Sequence, residues 1–314
     1  MDGVNLFLVV ISLSHVLAPP PPEGAFVDDV RRVVPPWNTT ATLSLTLTPL
    51  PTHPPLVIRS RYVTKDGRLL LDKPQNESVV LIQATNLVSE EAVEKAAHTM
   101  GSMMRHMPDI IFAGVARSKG VRLFPKGHGL VVYPEMASHA NTPECKRTCA
   151  GSCRHTCVGG TRKFQNIGGL TAGYSYIVDS NVLCKNDGYH GRLNVVGHEF
   201  AHLIMFHLPS YWKKRIHDAY TNDHAKQVWG MHSYLMSNQN EYWAESSGAF
   251  FMFGHMLWTS GGMNRCGHGG NTICPSVAAA REFIHKKDPD LFAILDYVYT
   301  GNRPEIDDHV KPCM

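Results

Sequence analysis

The amino-acid sequence predicts a mixed α+β fold, and three observations carry that prediction. Short apolar runs rich in β-branched residues, bounded by turn residues, punctuate the stretch from Leu56 to Tyr133. Apolar residues at helical spacing dominate from Asn194 onward. Between the two, Cys145, Cys149, Cys153 and Cys157 recur every fourth residue, which marks a separate insert.

Taken in order, Leu6 to Leu17 is a mostly apolar run, too short to span a bilayer and of the length of a signal-peptide core. Val16 and Ala18 supply a small-residue cleavage pattern, so residues 1–18 read as a signal peptide, with an uncleaved membrane anchor as the competing reading. Residues 19–55 are rich in Pro, Thr and Ser and read as an extended linker, within which Leu43 to Leu47 could add an edge strand. The main domain then occupies 56–314, with an α/β part at 56–140, the Cys-rich insert at 141–160 and a final part at 161–314.

Within the first part, Leu56 to Val63 and Arg68 to Leu71 form a hairpin around Lys65-Asp66-Gly67, and Val79 to Ala84 is a third strand. Ser89 opens a helix, with Glu90 and Glu91 placed to suit its N-terminal dipole, and Pro108 ends it. Val121 to Phe124 and Gly129 to Tyr133 read as strands, as does Tyr174 to Val178 after Gly168-Gly169. Helices follow at Asn194 to His207, stopped by Pro209, at Asn240 to Leu257, and at Asp290 to Tyr299.

Composition excludes some partners. The chain is 43% hydrophobic and 18% charged, with a formal net charge of +3, too little to point to nucleic acid or a membrane surface. No stable membrane insertion is expected of the remainder of the chain. The eight cysteines are an even number, which suits pairing in an oxidising, extracellular compartment. In that setting the regular cysteine spacing reads as a disulfide-stapled loop, with a metal cluster as the alternative, and connectivity stays open. Cys266 and Cys274 flank a glycine-rich loop that could close as a small ring. Asn38 and Asn76 stand in N-glycosylation sequons.

The chemistry concentrates in His198-Glu199-Phe200-Ala201-His202. Residues four apart share a helix face, so His198 and His202 can aim two imidazoles at one ion, and Glu199 stands beside it as a base for bound water. The flanking Val195, Val196, Leu203 and Ile204 suit a buried helix. Gly197 costs roughly 1 kcal/mol relative to Ala, which makes sense if another segment must approach closely. Downstream, Glu241 and Glu245 in Asn240-Glu241-Tyr242-Trp243-Ala244-Glu245 are again one turn apart. One of them can complete the ligand set while the other holds the free N–H of a ligand histidine.

These two motifs together resemble the gluzincin metallopeptidases, in particular the catalytic-domain type of anthrax toxin lethal factor and related secreted zincin-like proteins. The resemblance covers about Tyr174 to Leu257, and the insert and the Pro-rich segment lie outside it. It implies a zincin-like domain with an active-site helix and a downstream ligand helix, binding one Zn2+ per chain. By that match His198, His202 and Glu241 are the metal ligands, Glu245 supports a ligand histidine, and Tyr234, seven residues before Glu241, supports the oxyanion. The expected function is a secreted zinc metallopeptidase with a peptide or protein substrate, in which Glu199 takes the proton of zinc-activated water. Tyr234, or His232, would donate to the tetrahedral oxyanion. Alternatives are a secreted zinc-containing binding protein without turnover, a small-molecule amidase, and an interaction protein acting through the insert.

Overall fold

The structure, a computed structural model, describes residues 56–267, 272–308 and 310. The expected signal peptide and linker, with the Leu43 to Leu47 strand and Asn38, lie outside the described residues, as do 268–271 of the glycine-rich loop.

β1 (Ile58–Val63) and β2 (Leu69–Leu70) form the expected hairpin, and β1 pairs antiparallel along its full length with β3 (Val80–Thr85). α1 (Glu90–Met104) begins where the Ser89 hydroxyl accepts the Ala92 amide at 3.2 Å. Its buried Ala92, Val93, Ala96, Ala97, Met100, Met103 and Met104 recur at helical spacing. Pro108 ends the following turn, and its carbonyl also starts α2 (Asp109–Ala116) by accepting the amides of Ile111 and Phe112. β4 (Val121–Phe124) lies parallel to β3.

The insert contributes β5 (Cys157–Val158) and β6 (Arg162–Lys163), a two-stranded sheet of its own. β7 (Gly169–Ala172) and β8 (Tyr174–Val178) then return to the main sheet, whose order is β2-β1-β3-β4-β8-β7. β8 is parallel to β4, and β7 is antiparallel to β8 at the sheet edge.

Side-chain alternation gives the sheet a core on each face. Val121, Leu123 and Ile177 join the main core, which the helices cover. Phe124 and Tyr176 point the other way, into a smaller core with Leu130, Tyr133, Met136 and Ile167. There the Arg122 guanidinium stacks 3.6 Å from the Tyr174 ring and pairs with Glu135.

The helical layer comprises α3 (Asp179–Val182), α4 (Val195–His207), α5 (Ser210–Lys226), α6 (Gln239–Phe251), α7 (Leu257–Ser260), α8 (Val277–Lys287) and α9 (Pro289–Thr300). α4 packs on β7, β8 and α6. Among the described residues no helix is long and apolar enough to cross a membrane.

Two expectations are corrected. Gly129 to Tyr133 is not a strand: Gly129 takes φ 74°, the chain coils into a 3-10 turn at Leu130–Val132, and the Tyr133 hydroxyl turns inward to the Leu123 carbonyl at 2.6 Å. The second motif helix ends at Phe251 rather than Leu257, because Met252 adopts a left-handed conformation (φ 62°) and Phe253 folds back into the core. α2, α5, α8 and β7 were not anticipated.

The insert is stapled by Cys145–Cys153 and Cys149–Cys157, and Cys266–Cys274 closes the predicted ring. Cys184 is disulfide-bonded as well. These pairings remove the metal-cluster alternative for the insert, since all four of its thiols are bridged. Asn76 is exposed in the loop before β3.

Candidate metal centre

α4 starts at Asn194, whose side-chain oxygen accepts the Gly197 amide at 3.1 Å. The Val195 amide donates to Asn181 Oδ1 at 2.8 Å, which ties the helix start to α3. Without a side chain, Gly197 admits the Phe253 ring: a Cβ there would lie 2.8 Å from the ring. The close approach inferred from the sequence is therefore present. α6 is fixed against α4 by the Trp243 indole, which donates to the Ala201 carbonyl at 3.0 Å. The Asn238 side chain caps α6 by accepting the amides of Asn240 and Glu241.

This packing brings His198, His202 and Glu241 together, all buried, as a group that could hold a metal ion. Their donor atoms form a nearly equilateral triangle. The two Nε2 atoms are 3.2 Å apart, and Glu241 Oε2 lies 3.2 Å from His198 Nε2 and 3.4 Å from His202 Nε2. Despite that proximity, Glu241 Oε2 makes no aligned hydrogen bond, and it has almost no exposure to water. The two imidazole nitrogens meet each other in hydrogen-bond geometry, which leaves the carboxylate oxygen unclaimed. Such an orphaned buried carboxylate oxygen is costly unless a cation takes it up.

Glu245 stands one turn along α6, its Oε1 3.2 Å from His198 Nδ1, the nitrogen on the far side of the ring from the triangle. The distance suits a charge-assisted contact, although the angle falls short of a well-aligned hydrogen bond. Burial opposes a charge on His198, but Glu241 and Glu245 outweigh it and hold the imidazole well above its ordinary pKa. Burial likewise works against the Glu241 anion, and His202 and His198 overcome it, so its carboxyl stays well below the usual range.

Glu199 points toward the sheet edge, within electrostatic reach of His198 and His202. Thr171 Oγ1 lies 2.7 Å from Glu199 Oε2, and the Ser175 hydroxyl donates to the Glu199 carbonyl at 2.9 Å. A hydroxyl has one proton, so the Ser175 bond leaves that of Thr171 for the carboxylate. A Cβ on Gly169 would sit 2.5 Å from Glu199 Oε1, so a glycine is required where β7 crosses the carboxylate. Burial raises the Glu199 pKa, against the opposing pull of His198 and His202. Gly169, Thr171 and Ser175 were not singled out from the sequence.

Tyr234 lies in a 3-10 turn (Tyr234–Ser237), its ring 6.3 Å from that of His198 and inclined by 26°. Burial, and then the charge and hydrogen bonding of Glu241, push its phenol far above the ordinary value. Its hydroxyl thus belongs to the metal group, whereas His232 is exposed. Tyr189, also unanticipated, packs over Gly168, and burial followed by the charge of Glu199 pushes it up to about 12.

No family model, curated protein or solved structure matches this chain. Its reading therefore rests on the chemistry of the residues themselves.

Proposed function

We propose that the chain is a secreted zinc-dependent hydrolase of the zincin type and that its substrate is a peptide or protein. The converging triangle of two imidazole nitrogens and one carboxylate oxygen, with a separate buried carboxyl alongside, is the observation that carries this reading. Two nitrogens and one oxygen are a donor set that zinc accepts in catalytic sites with an open fourth position. A tetrahedral ion about 2.0–2.1 Å from each donor needs donor separations of about 3.3 Å, in line with the three edges described above.

Bound there, zinc would acidify a water and polarise a carbonyl. The protein's residues would do the rest. Glu199, oriented by Thr171 and with its proton affinity raised by burial, is suited to take a proton from water and return it to a leaving amine. Glu245 fixes the His198 ring so that Nε2 faces the triangle. The Tyr234 hydroxyl, retained as a donor by its raised pKa, would serve the developing oxyanion. A peptide substrate is favoured by β7. As the last strand of the sheet it has no further strand beside it among the described residues, and an extended chain can add there next to Glu199. The disulfides support an oxidising, extracellular setting.

The deciding experiment measures zinc stoichiometry and cleavage of a peptide library by wild type and Glu199→Gln. One zinc per chain, with cleavage that falls about 10²–10⁴-fold in the variant, is the expected result. Stoichiometric zinc without any Glu199-dependent cleavage would replace the hydrolase with a zinc-containing binding protein.

A further inference from the structure

α7 is a single turn whose inner side is fixed. Thr259 and Ser260 are buried, the Ser260 hydroxyl bonds Asn264 Oδ1 at 3.0 Å, and Asn264 Nδ2 donates to the Gly254 carbonyl. The end of the turn presses on the loop leading to Tyr234: the Gly230 amide donates to the Gly261 carbonyl at 3.1 Å, and a Cβ on Gly261 would meet Ser233 Oγ at 2.7 Å. With that side held, the other two residues face outward, Leu257 at 48% and Trp258 at 63% exposure. The Trp258 ring lies 6.2 Å from the Tyr234 ring, which in turn lies 6.3 Å from His198. Three rings thus run from a candidate metal ligand to the surface.

An indole of this size, left in water on a rigid turn beside a buried polar centre, offers a large contact area at little ordering cost. We propose that Trp258, with Leu257 beside it, is a specificity surface next to the metal group and receives a large apolar or aromatic side chain of the substrate. This rests on the zinc-hydrolase reading. Tyr234 links the metal group to α7, so a substrate held at that group lies within two ring spacings of the indole.

The test titrates two capped amino-acid hydroxamates, glycyl and phenylalanyl, into zinc-loaded wild type, Trp258→Phe and Trp258→Ala, with binding followed by calorimetry and folding by circular dichroism. Wild type should bind the phenylalanyl compound roughly 10-fold or more tightly than the glycyl one. Trp258→Phe should keep most of that preference and Trp258→Ala should lose it. In peptide hydrolysis the same loss should fall on KM rather than kcat. Absence of a preference in wild type, an undiminished preference in Trp258→Ala, or equal weakening of both compounds would overturn the proposal while leaving the metal reading intact. Failure of both hydroxamates to bind zinc-loaded wild type would instead remove the metal reading, and the proposal with it.

Discussion

Helix α6 carries two buried polar clusters side by side in sequence, Glu241 with α4 and Tyr242 with α5 and the start of α9, and they are completed in opposite ways. At Tyr242 the hydroxyl meets Asp223 Oδ2 at 2.7 Å and Asp288 Oδ2 at 2.9 Å, and the Trp229 indole donates to the same Asp288 oxygen at 3.2 Å. Asp288 Oδ1 caps α9 by accepting the Leu291 amide. None of these four residues contributes an unsatisfied buried atom. At Glu241, by contrast, three buried atoms lack an aligned partner: Glu241 Oε2, His198 Nδ1 and Glu245 Oε1. Both clusters bury carboxylates. What separates them is closure: one consumes its hydrogen-bonding capacity internally, and the other leaves a carboxylate oxygen unclaimed between two imidazoles.

Four substitutions would break or sharpen that contrast. The largest effect belongs to Glu241→Ala, which should abolish stoichiometric zinc, read by elemental analysis after gel filtration; full retention of the metal would show that the triangle is not the binding point. Glu245→Ala removes only the support of His198 and should weaken zinc roughly 10- to 100-fold in a competition titration with a chelator. A loss as complete as that of Glu241→Ala would make Glu245 a ligand.

Tyr242→Phe deletes the hydroxyl shared by the closed cluster and should cost about 1–3 kcal/mol in urea unfolding while zinc content stays at one per chain. Loss of zinc would mean that the two clusters are a single unit. The last effect concerns pH. Burial, reinforced by the neighbouring Asp288, raises Asp223 from 3.8 to about 8. Between these limits the folded state keeps a proton that the unfolded chain has lost, so stability falls as pH rises, by at most about 1.4 kcal/mol per unit. Asp223→Asn cannot release that proton, and its urea midpoint should decline less than that of wild type from pH 5 to pH 8. A decline as steep as that of wild type would place the titration elsewhere.

The legible parts of the centre were those written in helical spacing. His198 with His202, and Glu241 with Glu245, are four apart, and that interval alone sets them on common faces. Gly169 and Thr171 reach Glu199 through the sheet edge, a tertiary contact with no periodic trace. Asp223 and Asp288 meet across 65 positions for the same reason. α5 escaped because its buried residues are only Ile216, Ala219 and Asp223, a stripe too thin to read as amphipathic. Gly129 to Tyr133 failed in the other direction: its β-branched residues favour extension, but the left-handed Gly129 and the pull of the Tyr133 side chain into the second core prevail. Strands β3, β4 and β8 were readable as short, largely apolar runs, and β1 as one arm of the hairpin around Lys65-Asp66-Gly67.

The Phe253 ring wedges between the two ligand-bearing helices. It touches Gly197, next to His198, and a Cβ on Gly248 would lie 3.1 Å from it. Gly248 is two turns along α6 on the same face as Glu241 and Glu245. The thickness of one benzene ring thus acts as a shim that gauges how far apart the histidines and the glutamate stand. The spacing of the two helices is in this sense set from behind, by hydrocarbon. A change in the core, with none of His198, His202 or Glu241 touched, would shift the spacing of their triangle.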